Sequence, residues 1–178
     1  MNQDLPGPDD FPSRMGKAML FAAWIAALAL LVLLFHRLVS DRENPNRDVE
    51  VALDAAGRPQ VVLQRNSAGH YVATGRINGE PVVFLVDTGA TDVALPLDVA
   101  RRFDLPLGPP SMSRTANGNV RTWSARLDSV DLGGLVARRV PASVLPNMPG
   151  EQVLLGMSYL KRFELIQRDG TLTLRPPL

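Results

Sequence analysis

The sequence predicts an all-β domain of closely spaced strands, preceded by one N-terminal helix long enough to cross a membrane. About eight short apolar runs, rich in β-branched residues, follow one another between residues 49 and 175. Turn signals separate them, among them Asn78-Gly79, Gly133-Gly134 and Asp169-Gly170. In this part of the chain only residues 97–103 and 157–161 suit short helices. Many short strands with two short helices indicate an all-β architecture.

The N-terminal apolar segment covers Ala18 to Phe35, eighteen residues without a charge. As an α-helix it would be about 27 Å long, close to the hydrocarbon thickness of a bilayer. It is apolar on all sides, which disfavours a soluble amphipathic helix. A cleaved signal peptide is the alternative, but the stretch is long for one and no clear Ala-x-Ala site follows it. We therefore expect a retained single-pass anchor over residues 18–38.

Charge around this segment does not decide its orientation, since two basic residues precede it and three follow it, mixed with acidic ones.

The segments after the apolar helix include one whose role the sequence leaves open. Residues 49–65 form either a hairpin that extends the core or a spacer. The expected organisation is a disordered head at 1–17, a transmembrane helix at 18–38, a juxtamembrane linker with possible strands at 39–65, and a β domain at 66–178.

Composition excludes several kinds of function. The net charge is +1 and no basic patch alternates with aromatic residues, so nucleic acid is not an expected partner. The chain has no cysteine, which excludes disulfides and thiolate chemistry. The two histidines, His36 and His70, do not have the spacing of metal ligands. We expect neither a metal nor a cofactor.

The most informative stretch is the apolar run of residues 82–86, which leads directly into Asp87-Thr88-Gly89. The run predicts a buried strand, and Asn78-Gly79 before it makes this strand the second arm of a hairpin. Glycine in the following turn lets the backbone adopt tight geometries and lets other groups approach closely. An aspartate between two apolar runs needs hydrogen-bond partners or a shared proton.

The sequence Val86-Asp87-Thr88-Gly89-Ala90-Thr91 resembles the active-site loop of aspartic proteases, in the retropepsin-like branch with one such motif per chain and of the bacterial membrane-anchored type. The resemblance covers about residues 69–176. It implies a closed or partly open β-barrel lobe with a flap hairpin and one or two short helices. It also implies that Asp87 is catalytic and that Thr88, Gly89 and Ala90 support the loop, with the Thr88 hydroxyl reaching the other subunit.

Two further segments fit the resemblance. Asn117-Gly118 marks a tight hairpin with polar arms. The family has a mobile flap at this place, which implies that Thr115, Ala116, Asn117 and Gly118 form it. Leu154, Leu155 and Gly156 match the apolar-apolar-glycine triplet that passes beneath the catalytic loop in the family, 67 residues after Asp87.

The chain departs from the viral members of the family at Met157-Ser158, where a charged residue is common. This departure puts in doubt the family's dimer salt bridge and the sheet formed by the chain termini. Asp92 is also open: it either pairs with an arginine or is a solvated loop residue.

In this family, peptide hydrolysis needs two carboxylates that share a proton, one to activate water and one to hydrogen-bond the substrate carbonyl. This chain has a single Asp-Thr-Gly. The resemblance therefore implies a homodimer that acts on a peptide or protein substrate without a cofactor. It further implies a single-pass protein of the bacterial inner membrane with the protease domain on the periplasmic side. A catalytically weak module for dimerisation or peptide binding at the membrane is the alternative.

Overall fold

The structure is a computed structural model that describes residues 11–115 and 118–177. The chain divides into two compact units with the boundary between Asp41 and Arg42. The N-terminal unit contains most of helix α1, which spans Phe11–Glu43, longer than the expected 18–38. From Met19 to Phe35 the large apolar side chains are exposed on all sides of the helix. Its length and composition suit a membrane span or a signal sequence.

The second unit, Arg42–Leu178, is the β body. Two short helices accompany its strands, α2 (Leu97–Arg102) and α3 (Met157–Leu160). The strands are β1 (Ala52–Leu53), β2 (Pro59–Gln64), β3 (Val72–Ile77), β4 (Glu80–Val86), β5 (Val93–Pro96), β6 (Pro110–Thr115), β7 (Gly118–Leu132), β8 (Leu135–Leu145), β9 (Val153–Leu155), β10 (Glu164–Arg168) and β11 (Thr171–Arg175).

The larger sheet has the strand order β3-β4-β9-β5-β8-β7-β6, and a pairing of β3 with β7 closes it on itself. Closure depends on the length of β7, which pairs with β6 over its first part, with β8 from Trp123 to Leu132 and with β3 at Val130 and Asp131. The interior is filled by fully buried side chains such as Phe84, Ile77 and Leu127. The predicted all-β class with two short helices in the body is confirmed.

The hairpin that leads to Asp87 forms as its turn residues predict. Asn78 and Gly79 both have positive φ, 52° and 91°. A two-residue turn of this kind matches the right-handed twist of paired strands. The hairpin therefore fixes the register of β4 against β3, with Val72 opposite Leu85.

A second sheet, in the order β1-β2-β11-β10, answers the question that the sequence left open about residues 49–65. Strand β2 pairs with β11, and its Val61 and Leu63 are fully buried in the same core as the barrel. The hairpin β1–β2 therefore extends the core. Since the compact unit begins at Arg42, the segment expected as a linker at 39–65 lies largely inside the β body.

Two asparagines just after α1 connect this segment to both sheets. The side chain of Asn46 accepts from Gln64 N–H at 2.7 Å and donates to Val72 C=O at 2.7 Å and to Gln64 C=O at 2.9 Å. Its backbone carbonyl accepts from Thr74 N–H. Asn44 lies alongside and donates to the Thr74 hydroxyl. Because Gln64 ends β2 and Val72 begins β3, the Asn46 amide links the two sheets.

Asn46→Ala is expected to lower the free energy of unfolding by about 3 kcal/mol, since it leaves several backbone groups of Gln64 and Val72 without partners. Chemical denaturation of the full-length chain in detergent measures this loss. The matched control is Asn147→Ala at an exposed loop position, which should change stability by less than about 0.5 kcal/mol. Equal stabilities of the two variants would contradict this role of Asn46.

An ion network crosses the smaller sheet. The Asp54 carboxylate accepts from Arg58 N–H and pairs with the Arg58 guanidinium at 2.8 Å. Arg175 pairs with Glu164 at 2.6 Å and lies 3.7 Å from Asp54. The hydrogen bond from the Arg58 backbone, with that from its side chain, holds the pKa of Asp54 below its usual range. The hydrogen bond from Arg175 does the same for the pKa of Glu164.

This network predicts that the β body loses stability in acid. A carboxyl group with a lowered pKa in the folded state stabilises the fold above its unfolded pKa, and that stabilisation disappears as the pH falls through the folded pKa. The midpoint temperature of thermal unfolding should therefore decrease as the pH is lowered below about 4. Asp54→Asn should make this fall shallower, whereas Asp98→Asn on α2 should leave it as in the wild type. Parallel profiles for all three proteins would contradict the assignment.

Candidate active site

Asp87 directly follows the last residue of strand β4. This strand lies between β3, which it pairs with in antiparallel fashion, and β9, which it pairs with in parallel. The strand end is fixed on both sides, because Val86 N–H donates to Tyr71 C=O at 2.9 Å and Asp87 N–H donates to Leu155 C=O at 3.2 Å. The backbone of Asp87 is therefore held by two neighbouring strands.

The Asp87 side chain is half-buried and turns back toward its own loop. Its Oδ1 accepts from Gly89 N–H at 2.8 Å, and its carbonyl oxygen accepts from Ala90 N–H at 3.3 Å. Thr88 and Gly89 are exposed, and Ala90 is half-buried. None of the ion pairs found in residues 11–115 and 118–177 involves Asp87. The loop thus presents a carboxylate that is oriented by a backbone amide and accessible to another molecule.

The segment from Leu154 to Ser158 passes directly beneath this loop. Leu154 pairs with Leu85 of β4 and Ala94 of β5. Just beyond β9, Met157 N–H donates to Ala90 C=O at 2.8 Å and Ser158 N–H donates to Thr91 C=O at 2.9 Å. The strands before and after Asp87 are therefore both attached to the same short segment.

Gly156 is the point of closest approach between the two segments. A Cβ atom placed there would overlap the carbonyl oxygen of Asp92 and lie 2.7 Å from that of Ala90. Both obstacles are backbone atoms, which cannot move aside without shifting the loop. The φ angle of Gly156 is −91°, so this position needs glycine for space and not for its backbone angle.

Asp92 has a partner that neither of the sequence-based alternatives includes. Its Oδ2 accepts from the Ser143 hydroxyl at 3.2 Å, and its side chain is half-buried. In the part of the chain that the structure describes, no ion pair to an arginine is found for Asp92. The carboxylate therefore ties the loop to β8.

The hairpin assigned to the flap is formed by β6 and β7, and Thr115 pairs with Gly118 at its end. The tip residues Ala116 and Asn117 lie outside the described residues. Below the tip, the Thr122 hydroxyl, almost fully buried, contacts the hydroxyls of Ser113 at 2.8 Å and Ser111 at 3.2 Å. Trp123 is partly buried and packs against the core. The substrate-covering role of this hairpin stays a prediction.

Sequence reasoning missed Ser143 and Ser158, both of which contact the loop. Ser158 is 3% exposed and its hydroxyl lies between Val93 N–H and Pro141 C=O. A serine carries no signal of burial in a single sequence. Among the residues that the structure describes, no group of three or more His, Asp or Glu side chains could hold a metal ion.

Comparison with known proteins places this site in a family. A family model described as "gag-polyprotein putative aspartyl protease" matches residues 73–162, which is 90 of the 178 residues. The match includes the Asp87 loop, Gly156 and Ser158. It extends from β3 through α3, so it covers the barrel and the hairpin β6–β7.

Two curated relatives are described as uncharacterized. A Sinorhizobium protein from the cobV 5′ region is 33% identical over 131 residues, 70% of this chain and 55% of the relative. A protein of Rickettsia prowazekii (strain Madrid E) is 31% identical over 113 residues, 62% of this chain and 48% of the relative. The chain therefore spans about half the length of these relatives.

One similar solved structure is the crystal structure of a retropepsin-like aspartic protease from Rickettsia conorii. It is 29% identical, with a TM-score of 0.57, and the match covers 65% of this chain and 98% of that one. The matched part of this chain thus corresponds to nearly the whole of the chain in that structure.

Gly156→Ala is expected to lower the free energy of unfolding by about 3 kcal/mol or more, because the added methyl group meets two backbone carbonyls. Gly150→Ala is the control. No atom lies within 4 Å of a Cβ there, and its φ is +75°, so it should cost only about 1–2 kcal/mol of backbone strain. Denaturant titration of both full-length variants measures the difference. A Gly156→Ala variant as stable as the control would show that the crossing is looser than described.

Proposed function

Since this chain belongs to the retropepsin-like aspartic protease family, we propose that it is an aspartic endopeptidase, anchored in a membrane and active as a homodimer. The observation that carries this proposal is the position of Asp87. It stands at the end of a strand held between two neighbouring strands, with its carboxylate oriented by Gly89 N–H and reachable from outside. A module that only binds peptides has no need of an acid held in this way.

In the proposed mechanism, one Asp87 from each subunit forms a pair that shares one proton. Two carboxylates about 3 Å apart cannot both ionise, so the pair keeps that proton over a wide pH range. The ionised member takes a proton from a water molecule, which attacks the peptide carbonyl carbon. The protonated member donates a hydrogen bond to the carbonyl oxygen, and a proton then passes to the leaving nitrogen as the C–N bond breaks.

The need for a second subunit follows from the other aspartates of the chain, none of which repeats the loop. Asp131 accepts from Gly134 N–H in the β7–β8 turn, and Asp169 occupies the β10–β11 turn with a φ of 47°. Asp128 is exposed on β7. A two-fold axis through the loops would bring two copies of Asp87 together, since such an interface joins identical surfaces.

The remaining site residues take supporting roles in this proposal. Thr88 is exposed, so its hydroxyl is available to brace the loop of the second subunit. Ala90 and Gly156 keep the loop compact above Leu154 and Leu155. The hairpin end at Thr115 to Gly118 folds over the bound peptide.

Helix α1 supplies the proposed anchor. Its exposed apolar side chains suit a lipid environment, and confinement to a membrane raises the effective concentration of subunits for dimerisation. Because the relatives come from Sinorhizobium and Rickettsia, the membrane proposed is a bacterial one, and the family resemblance implies the inner membrane, with the protease domain on the periplasmic side.

Asp87→Asn is expected to abolish cleavage, with a fall in kcat of at least about 10³-fold, because the variant pair lacks the carboxylate that activates water. The full-length chain and the variant are compared on a mixed peptide library, with cleavage followed by mass spectrometry. The matched control is Asp128→Asn, which alters an exposed aspartate outside the loop. Peptide binding without cleavage by the wild type would favour the binding module instead.

Mixing wild type with Asp87→Asn in equal amounts tests the two-chain site. If both Asp87 residues are required and subunits exchange freely, a quarter of the dimers are active, so total activity falls to about a quarter of that of the same total amount of wild type. Independent active subunits would instead leave half of the activity. That second result would overturn the shared-site mechanism.

A further inference from the structure

We propose that Ser158 is a positioning residue for the Asp87 loop, which it holds in place through the backbone of Val93. The proposal rests on the proposed function, since it assigns a role at the same site. Ser158 does not contact Asp87 in the structure. It acts on the end of the loop at which the chain enters β5.

The hydroxyl of Ser158 connects two strands. Its Oγ accepts from Val93 N–H at 3.0 Å and donates to Pro141 C=O at 2.8 Å. A hydroxyl can donate one hydrogen bond while accepting another, so both contacts form together. Val93 begins β5 and pairs with Ala142 of β8, the residue after Pro141. Ser158 thus bridges β5 and β8 where their ladder begins.

Burial makes this bridge hard to replace. Ser158 is 3% exposed and Val93 is fully buried. If the hydroxyl is removed, a buried amide and a carbonyl lose their partner together, and such groups are costly to leave unpaired. The strands have to shift or admit water to satisfy them.

The bridge acts on the loop because the loop is short and attached at both ends. Its first residue is fixed where Asp87 N–H meets Leu155 C=O, and its last where Val93 N–H meets Ser158 Oγ. The contacts of Met157 and Ser158 with Ala90 and Thr91 are backbone bonds, which no side-chain substitution deletes directly. Among these hydrogen bonds between the segment and the loop, the one made by the Ser158 hydroxyl is therefore the one that a side-chain substitution can remove.

A small displacement at Val93 matters for chemistry. Catalytic groups have to be held within about 0.5 Å of their working geometry. In a paired site, the carboxylate of each subunit has to lie next to that of the other. Because the substitution is present in both subunits, both loops are displaced. Loss of the bridge should therefore reduce turnover more than substrate binding.

The test uses Ser158→Ala and Ser158→Thr in the full-length chain in detergent. The matched control is Tyr159→Phe, because the Tyr159 hydroxyl is also buried and donates to a carbonyl, that of Leu135 at 2.7 Å, away from the loop. Peptide cleavage gives kcat and KM for each protein. Hydrogen exchange followed by mass spectrometry reports on the amides of residues 88–93 without requiring activity.

Ser158→Ala should lower kcat about tenfold or more with KM within about twofold, and exchange in residues 88–93 should quicken about tenfold. Ser158→Thr, which keeps the hydroxyl, should recover most of the kcat. Tyr159→Phe should leave both the kcat and the exchange of this peptide close to wild type, even where its unfolding midpoint falls.

Unchanged exchange in Ser158→Ala, or equal effects of Ser158→Ala and Tyr159→Phe on kcat and exchange, would overturn the positioning role. A wild type that cleaves no peptide would overturn the proposed function. In that case the exchange measurement still decides whether Ser158 controls the loop.

Discussion

The close crossing of two backbone segments at Gly156 is the constraint on which the rest of the site depends. The loop from Asp87 to Val93 has no room beneath it for a side chain, and it takes its shape from the chain that runs under it. Strand β9 also separates β4 from β5, so the residues before and after Asp87 contact the same three-residue strand. The Asp87 carboxylate gains a fixed direction in this way while it stays only half-buried.

The barrel around this crossing is closed by few pairings, and a second sheet contributes to its core. Only two residue pairs, Arg76–Asp131 and Ile77–Val130, join β3 to β7 in the described chain. The smaller sheet compensates by adding Val61 and Leu63 to the same core, and the Asn46 amide joins both sheets by hydrogen bonds. The site thus rests on a body that includes segments before and after the barrel.

The sequence predicted the parts of the fold whose causes are local. Asn78-Gly79 specified its turn because both residues accept positive φ. The apolar run before Asp87 specified a strand, but the expectation that this strand is buried was wrong in part, since Val82 and Phe84 are buried whereas Val83 is exposed. Gly156 was identified through family resemblance, since a lone glycine does not reveal which chain it approaches. Ser158, Ser143 and Asn46 were not predicted. Their partners lie 65, 51 and up to 26 residues away, and no periodic pattern marks a buried polar side chain.

The position of the two asparagines sets where the chain can be shortened. Glu43 ends α1, and the next residue, Asn44, is already bonded to Thr74 of the barrel. A fragment that starts at Arg42 keeps Asn46, whose side-chain amide bonds to both sheets. A fragment that starts at Val49 lacks Asn46, although it retains every strand. The minimal folding unit is therefore longer than its set of strands, and a protease that releases the body from α1 has to cut before Asn44 to leave it intact.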